Sequence, residues 1–222
     1  MRALGILLLA AGVASAAPPD VKEIVERLQE RYDSTADFTA EFRQEVEVPT
    51  LGKTLESHGT VAFKRPGRMR WEFLEPERQT IVADGETMWI YQAEQHQVLK
   101  TPFQAAFQSA TPVSFLFGVG DLGKDFDASL AGEEDDVYRV RLEPREDEDI
   151  GILVLTVSRD TYDLRGAEVT DPLGNVTRLE LRNLVRDEGV PDARFVFDVP
   201  EGADVVEAPG RPPSPDSAGQ SG

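Results

Sequence analysis

From Asp37 onward the chain alternates apolar and polar positions with a period of two. Phe38, Ala40, Phe42, Val46 and Val48 fall on one side, and Thr39, Glu41, Arg43, Glu45 and Glu47 on the other. That is the pattern of a strand with one dry face and one wet face. Similar patterns recur over residues 59–64, 68–73, 79–83, 86–92, 97–100, 126–130, 137–142, 151–158, 164–170, 175–184 and 194–199. They are separated by short gaps rich in turn residues, such as Lys64-Arg65-Pro66-Gly67, Asp84-Gly85 and Leu173-Gly174-Asn175. Proline followed by glycine is turn chemistry, and Asp-Gly suits a two-residue type I′ loop. Many strands, little helix and short connections predict a mainly β (α+β) fold built on a curled antiparallel sheet.

Before the strands, the period is helical. Val21, Ile24, Val25, Leu28 and Tyr32 share one face, and Asp20 with Glu23 reads as a capping box. One amphipathic helix of about four turns is therefore expected to lie against the sheet. A second break in the strand rhythm spans residues 101–118, where Thr101-Pro102 and Thr111-Pro112 each place an N-cap before a proline. Two short helices are predicted there, one carrying Phe103 and Phe107, the other Val113, Phe115, Leu116 and Phe117. The second is apolar almost all round and needs cover on more than one side, as a core plug or as a lid over a cavity.

The two ends read differently. Met1-Arg2 followed by an apolar run and Ala14-Ser15-Ala16 has the form of a secretory signal over residues 1–16. The expected mature chain starts at Ala17, and the absence of cysteine at that position points away from a lipid anchor. Residues 17–207 then form one domain. Residues 208–222, rich in Pro, Ser and Gly, lack the apolar content to fold. No disulfide is available to an exported chain without cysteine, so the core alone must hold it.

A net charge of −18 argues against nucleic acid and an anionic bilayer surface as partners, because both require basic patches. The acidic runs at 133–136 and 146–149 coincide with the ends of strand patterns and read as solvated hairpin loops. Candidate chemistry is sparse. With no cysteine and only His58 and His96, both expected in exposed loops, thiol catalysis and a multi-histidine metal site are excluded. No nucleophile elbow, phosphate loop or dinucleotide fingerprint occurs. Glu133–Asp136 lacks the alternating ligands of a calcium loop, and Asn175-Val176-Thr177 falls in a tight turn. Neither an enzyme nor a cofactor is expected. A paired-carboxylate hydrolase is the remaining enzymatic alternative.

The aromatic residues carry a stronger signal. Both Trp residues lie on the run from Val61 to Tyr91, where Met69, Trp71 and Phe73 share one strand face. On the 86–92 strand, either Trp89 and Tyr91 or Met88 and Ile90 face inward, because the period gives the pairing and not the side.

In order along the chain come the N-terminal helix, Phe38-x-x-x-Phe42-x-Gln44, Lys64-Arg65-Pro66-x-x-x-Arg70-Trp71 and Val82-x-Asp84-Gly85-x-x-x-Trp89-x-Tyr91. The Thr111-Pro112 helix follows, then Phe195-x-Phe197-x-x-Pro200-x-Gly202-x-Asp204-Val205. This set resembles the LolA-type periplasmic lipoprotein carriers over the whole mature chain except the tail.

The resemblance implies an unclosed β-barrel of about eleven strands around an apolar cavity lidded by short helices. It further implies a soluble, monomeric periplasmic carrier. Such a carrier takes acylated lipoproteins from an inner-membrane ABC exporter and delivers them to an outer-membrane receptor. By the same resemblance Arg65 locks the lid through backbone carbonyls, a task suited to five fixed donors. Phe42, Phe63, Met69, Trp71, Phe73, Trp89, Tyr91, Phe103, Phe107, Phe115, Leu116 and Phe117 line the cavity and lid. Read from the residues alone, Arg65 flanks a turn in solvent and Met69, Trp71 and Phe73 fill an ordinary core. A carrier or sensor of another lipid with the same fold is the alternative function.

Overall fold

The computed structural model describes residues 19–103, 121–134, 136–145 and 151–207. The expected signal segment, the expected tail and the expected lid positions Phe107, Phe115, Leu116 and Phe117 lie outside them. Among the described residues, helix α1 (Val21–Ser34) precedes strands β1 (Asp37–Val48), β2 (Lys53–Lys64), β3 (Arg68–Glu75), β4 (Gln79–Asp84), β5 (Thr87–Gln92) and β6 (Gln97–Pro102). A single-turn helix α2 (Leu122–Asp125) leads into β7 (Phe126–Glu133), β8 (Val137–Pro144), β9 (Ile152–Ser158), β10 (Leu164–Thr170) and β11 (Val176–Arg186). Strand β12 (Asp204–Glu207) ends the fold.

Among the described residues twelve strands form one sheet in the order β12-β6-β5-β4-β3-β2-β1-β11-β10-β9-β8-β7. Two antiparallel meanders, β1 to β6 and β7 to β11, join where β1 pairs with β11. The order is linear, with β12 and β7 as edges, so the expected curled sheet of about eleven strands is corrected to an open sheet of twelve. The predicted strand at 194–199 is also corrected. Asp192–Phe195 forms a 3₁₀ turn, and the terminal strand is β12, which pairs with β6 in parallel. Residues 196–200 belong to no strand.

Local sequence accounts for most boundaries. Asp20 caps α1 by accepting from the Lys22 amide at 3.3 Å. The expected capping box is not closed, because Glu23 pairs instead with Arg27 one turn on, at 2.7 Å. At Asp84-Gly85 only Gly85 has a positive φ, so the loop is not type I′. The Asp84 carboxylate organises it by accepting from the amides of Glu86 and Thr87, both at 2.8 Å. Thr101 and Pro102 end β6, where Pro102 still pairs with Thr87, so Pro102 is not the first helical residue as expected, and the first helical residue described after them is Phe103. His58 lies inside β2 and not in a loop, though its side chain is exposed as expected.

Strand register sorts the side chains onto two faces. Phe38, Phe63, Met69, Ala83 and Met88 are successive directly opposed partners from β1 to β5, so they share a face. The next row is Ala40, Val61, Trp71, Ile81 and Ile90. On the other half of the sheet, Val140, Leu155, Ala167 and Leu179 continue the same side. Helix α1 packs on this face through Ile24, Val25 and Leu28, all essentially inaccessible, which join the sheet residues in one core. The opposite face is wet except where the C-terminal segment crosses it. There Val190 and Phe195 bury against Ala62. Lys64 anchors the crossing by donating to the Val190 carbonyl at 2.8 Å and to Asp192 at 2.6 Å.

Candidate functional site

The α1-facing side of β1 to β3 is a continuous aromatic surface. Phe42 lies 4.9 Å from Trp71 and 5.0 Å from Phe73 between ring centroids, and Phe38 stacks on Phe63 at 5.4 Å. Alternation brings these rings to one side, and antiparallel register places them beside one another. Gly59 of β2 stands opposite Phe42 of β1 and opposite Phe73 of β3, so two rings meet where the strand between them has no side chain. Phe42, Phe63, Met69 and Trp71 are buried, whereas Phe73 is half-buried. Phe103 is buried in the same core, its ring against the β2–β3 turn at Gly67.

The inward pair on β5 is Met88 and Ile90. Trp89 and Tyr91, counted among the cavity residues, point the other way, because Trp89 pairs with Val82 and Val82 pairs with Arg70 on the outer face. Trp89 stacks on Phe197 at 6.0 Å and Tyr91 approaches the same ring at 6.3 Å. These two aromatics hold the C-terminal segment. His96 assists them, one ring nitrogen 3.3 Å from the Tyr91 hydroxyl and the other 3.1 Å from the Glu201 carbonyl.

Arg65 sits in the β2–β3 turn beside the end of α1. Its Nε donates to the Thr35 carbonyl at 3.1 Å, and its Nη2 donates to the Tyr32 carbonyl at 2.9 Å and to Asp33 at 3.1 Å. The guanidinium also lies 4.7 Å from the centroid of the Tyr32 ring. The last carbonyls of a helix have no intrahelical partner and carry its negative dipole end, so a planar cation with a fork of donors satisfies both needs. Tyr32 itself is half-buried, and desolvation of its phenol pushes it well above the ordinary range and keeps it neutral.

Between the C-terminal half of α1 and the sheet runs a narrow apolar slot, walled by Leu28, Phe38, Leu164, Leu181 and Leu184. The space a water-sized sphere can occupy in it is about 40 Å³, room for roughly three waters. As it stands the slot is too small for an alkyl chain. Among the described residues no group of three or more His, Asp or Glu is placed to hold a metal, and no helix is long and apolar enough to cross a membrane.

The arrangement is thus a carpet of apolar side chains covered by one amphipathic helix and tied at its end by polar contacts. The profile of a family described as "Outer membrane lipoprotein carrier protein LolA" matches residues 33–198. The chain belongs to the LolA family. Curated relatives agree. An outer-membrane lipoprotein carrier protein of Dechloromonas aromatica is 35% identical over 82% of this chain and 86% of its own length. One of Leptothrix cholodnii is 35% identical over 93% and 97%, respectively.

A solved structure of an uncharacterised conserved protein from Thermus thermophilus superposes with a TM-score of 0.56 at 16% identity, over 84% of this chain and 98% of its own. That likeness concerns the fold. Membership in the LolA family carries a periplasmic lipoprotein-carrier role at the level of the family, and a non-catalytic one. The aromatic carpet is accordingly a binding surface candidate, with no group of metal-ligating side chains beside it among the described residues.

Proposed function

We propose that this LolA-family protein carries acylated lipoproteins on the aromatic face under α1, receiving them from an inner-membrane ABC exporter and passing them to an outer-membrane receptor. The observation that carries the reading is the cover. A helix whose last turn is fastened by hydrogen bonds over an apolar slot is a helix that can lift without breaking the sheet. Arg65 is the lock in this reading, and the movable cover it grips is α1.

Energetics favour such a removable cover. Three acyl chains of about fifteen methylenes each, at roughly 0.8 kcal/mol per methylene, would gain more than about 30 kcal/mol on leaving water. Non-covalent affinity saturates near about 20 kcal/mol. A carrier must also let go, so part of the gain is offset by the work of lifting α1 and exposing its apolar face. The relevant comparison is one apolar host against another.

The two tryptophans make the site testable, because they lie on opposite faces. A nitroxide-labelled long-chain fatty acid should quench the Trp89→Phe variant, whose remaining indole is Trp71, and leave the Trp71→Phe variant bright. Equal quenching of both, or of neither, counts against binding beneath α1. Native mass spectrometry of the protein from its own periplasm is expected to show co-purified acylated species. A clean apo mass together with no uptake of the labelled fatty acid would end the carrier reading.

A further inference from the structure

Arg65 is not the only polar tie on α1. On the other side of the helix end, the β9–β10 turn delivers Asp163, whose side chain is 14% exposed. Its Oδ1 accepts from Arg31 Nε of α1 at 3.0 Å and lies 2.7 Å from Arg186 Nη1 of β11, an ion pair without hydrogen-bond alignment. Its Oδ2 accepts from the Thr161 hydroxyl at 2.7 Å. The neighbouring Tyr162 has φ +56, a left-handed backbone that a tyrosine rarely adopts. Its ring lies 5.0 Å beneath the guanidinium of Arg27 on the same helix. A strained turn therefore presents two grips, one turn of helix apart, to one face of α1.

The distribution of packing along α1 gives these grips their meaning. Ile24 and Val25, near the N-terminal end, are buried in the core; the helix also packs on α2 and β7, and Gln29 accepts from the Leu122 amide of α2 at 3.2 Å. The C-terminal half instead lies over the slot, whose polar wall is Arg31, Asp163 and Arg186. Where apolar contact is incomplete, charge-assisted contacts hold the helix down.

Resting on the carrier reading above, we propose that Asp163 is a second latch and a positioning residue: it holds the C-terminal half of α1 over the slot, and its release admits the first acyl chain there. Arg65 and Asp163 then straddle the helix end, one from the β2–β3 turn and one from the β9–β10 turn. The strand order puts β1 and β11 between them. Asp163 acts through Arg31 and needs no contact with cargo.

The test combines amide hydrogen exchange with uptake of a fluorescent long-chain fatty-acyl probe, both on the full mature chain. In Asp163→Asn, amides at residues 28–34 are expected to exchange about tenfold faster, while those at 24–27 and in the sheet stay unchanged. Probe association should quicken in parallel, and Asp163→Glu should restore part of both. Arg31→Gln, which leaves the Asp163–Arg186 pair in place, gives a milder form of the same result and guards against a variant that fails to fold.

Unchanged exchange at 28–34, or acceleration spread evenly over the sheet, overturns the latch. Wild-type uptake at a rate that Asp163→Asn does not alter overturns its gating role alone. A wild-type protein that takes up no probe overturns the carrier reading and the gate with it.

Discussion

Replacing Gly59 with alanine should lower the melting temperature by roughly 6–12 °C, the shift expected for a loss of about 3 kcal/mol in a domain of this size. A Cβ built at this position would land on the backbone carbonyl oxygen of Glu72 in β3 and stand 3.0 Å from the Phe42 ring. Neither neighbour yields cheaply. The carbonyl belongs to the β2–β3 ladder, beside the register shift between His58 and Gly59. The ring is packed against Trp71 and Phe73. Phe42 thus occupies the space that any other residue at 59 would claim, and the aromatic carpet depends on that vacancy. The control is Gly132→Ala, where nothing lies within 4 Å of the added carbon and φ is not positive. Calorimetry should find that variant within about 0.5 kcal/mol of wild type. Similar melting points for the two variants would mean that the strands part easily at Gly59, and that the carpet is looser than its geometry implies.

Periodicity gave the strands and α1 because both patterns are local and one face of each is dry. Turn chemistry fixed most of the connections. The inward side of β5 was also latent in the sequence. A three-residue loop at 65–67 pairs Phe63 with Met69, and the Arg68 to Asp84 register then carries that side to Ala83 and Met88. Counting loop lengths outward from one buried residue would have turned Trp89 and Tyr91 to the outer face.

The 194–199 run alternates like a strand and is not one. Its aromatics, Phe195 and Phe197, are satisfied by the sheet's outer face and by Trp89, so burial there does not require a partner strand. Tertiary packing produced the same alternation that a ladder would. Asp163 was invisible for a different reason. It lies 132 positions from Arg31, and no local pattern marks a carboxylate whose partners come from a helix and a strand so far away in the chain.

Arg65→Leu is expected to tighten binding of an acyl probe by about thirtyfold and to slow its release correspondingly. The substitution removes three side-chain hydrogen bonds to the end of α1. Charge-assisted bonds contribute about 1.5–3 kcal/mol each when sheltered. This side chain is 31% exposed, so water replaces part of what is lost, and a net effect of about 2 kcal/mol on the closed state is the reasonable figure. If the probe binds only when α1 is raised, the apparent dissociation constant equals the intrinsic one divided by the open fraction. Destabilising the closed state by that amount raises the open fraction by about thirty, until the open form dominates. The sign matters more than the size. A residue that merely flanked a turn would leave affinity alone, and one that touched cargo would weaken binding when lost. Only a lock makes its own removal look like an improvement, and the improvement is a defect in a protein that must hand its cargo on. Lysine should not rescue it, because a single ammonium lacks the planar fork that reaches both the Tyr32 and Thr35 carbonyls. An unchanged or weakened affinity in Arg65→Leu, measured by titration with the probe, would remove the lock from the mechanism and leave the hold on α1 to Asp163.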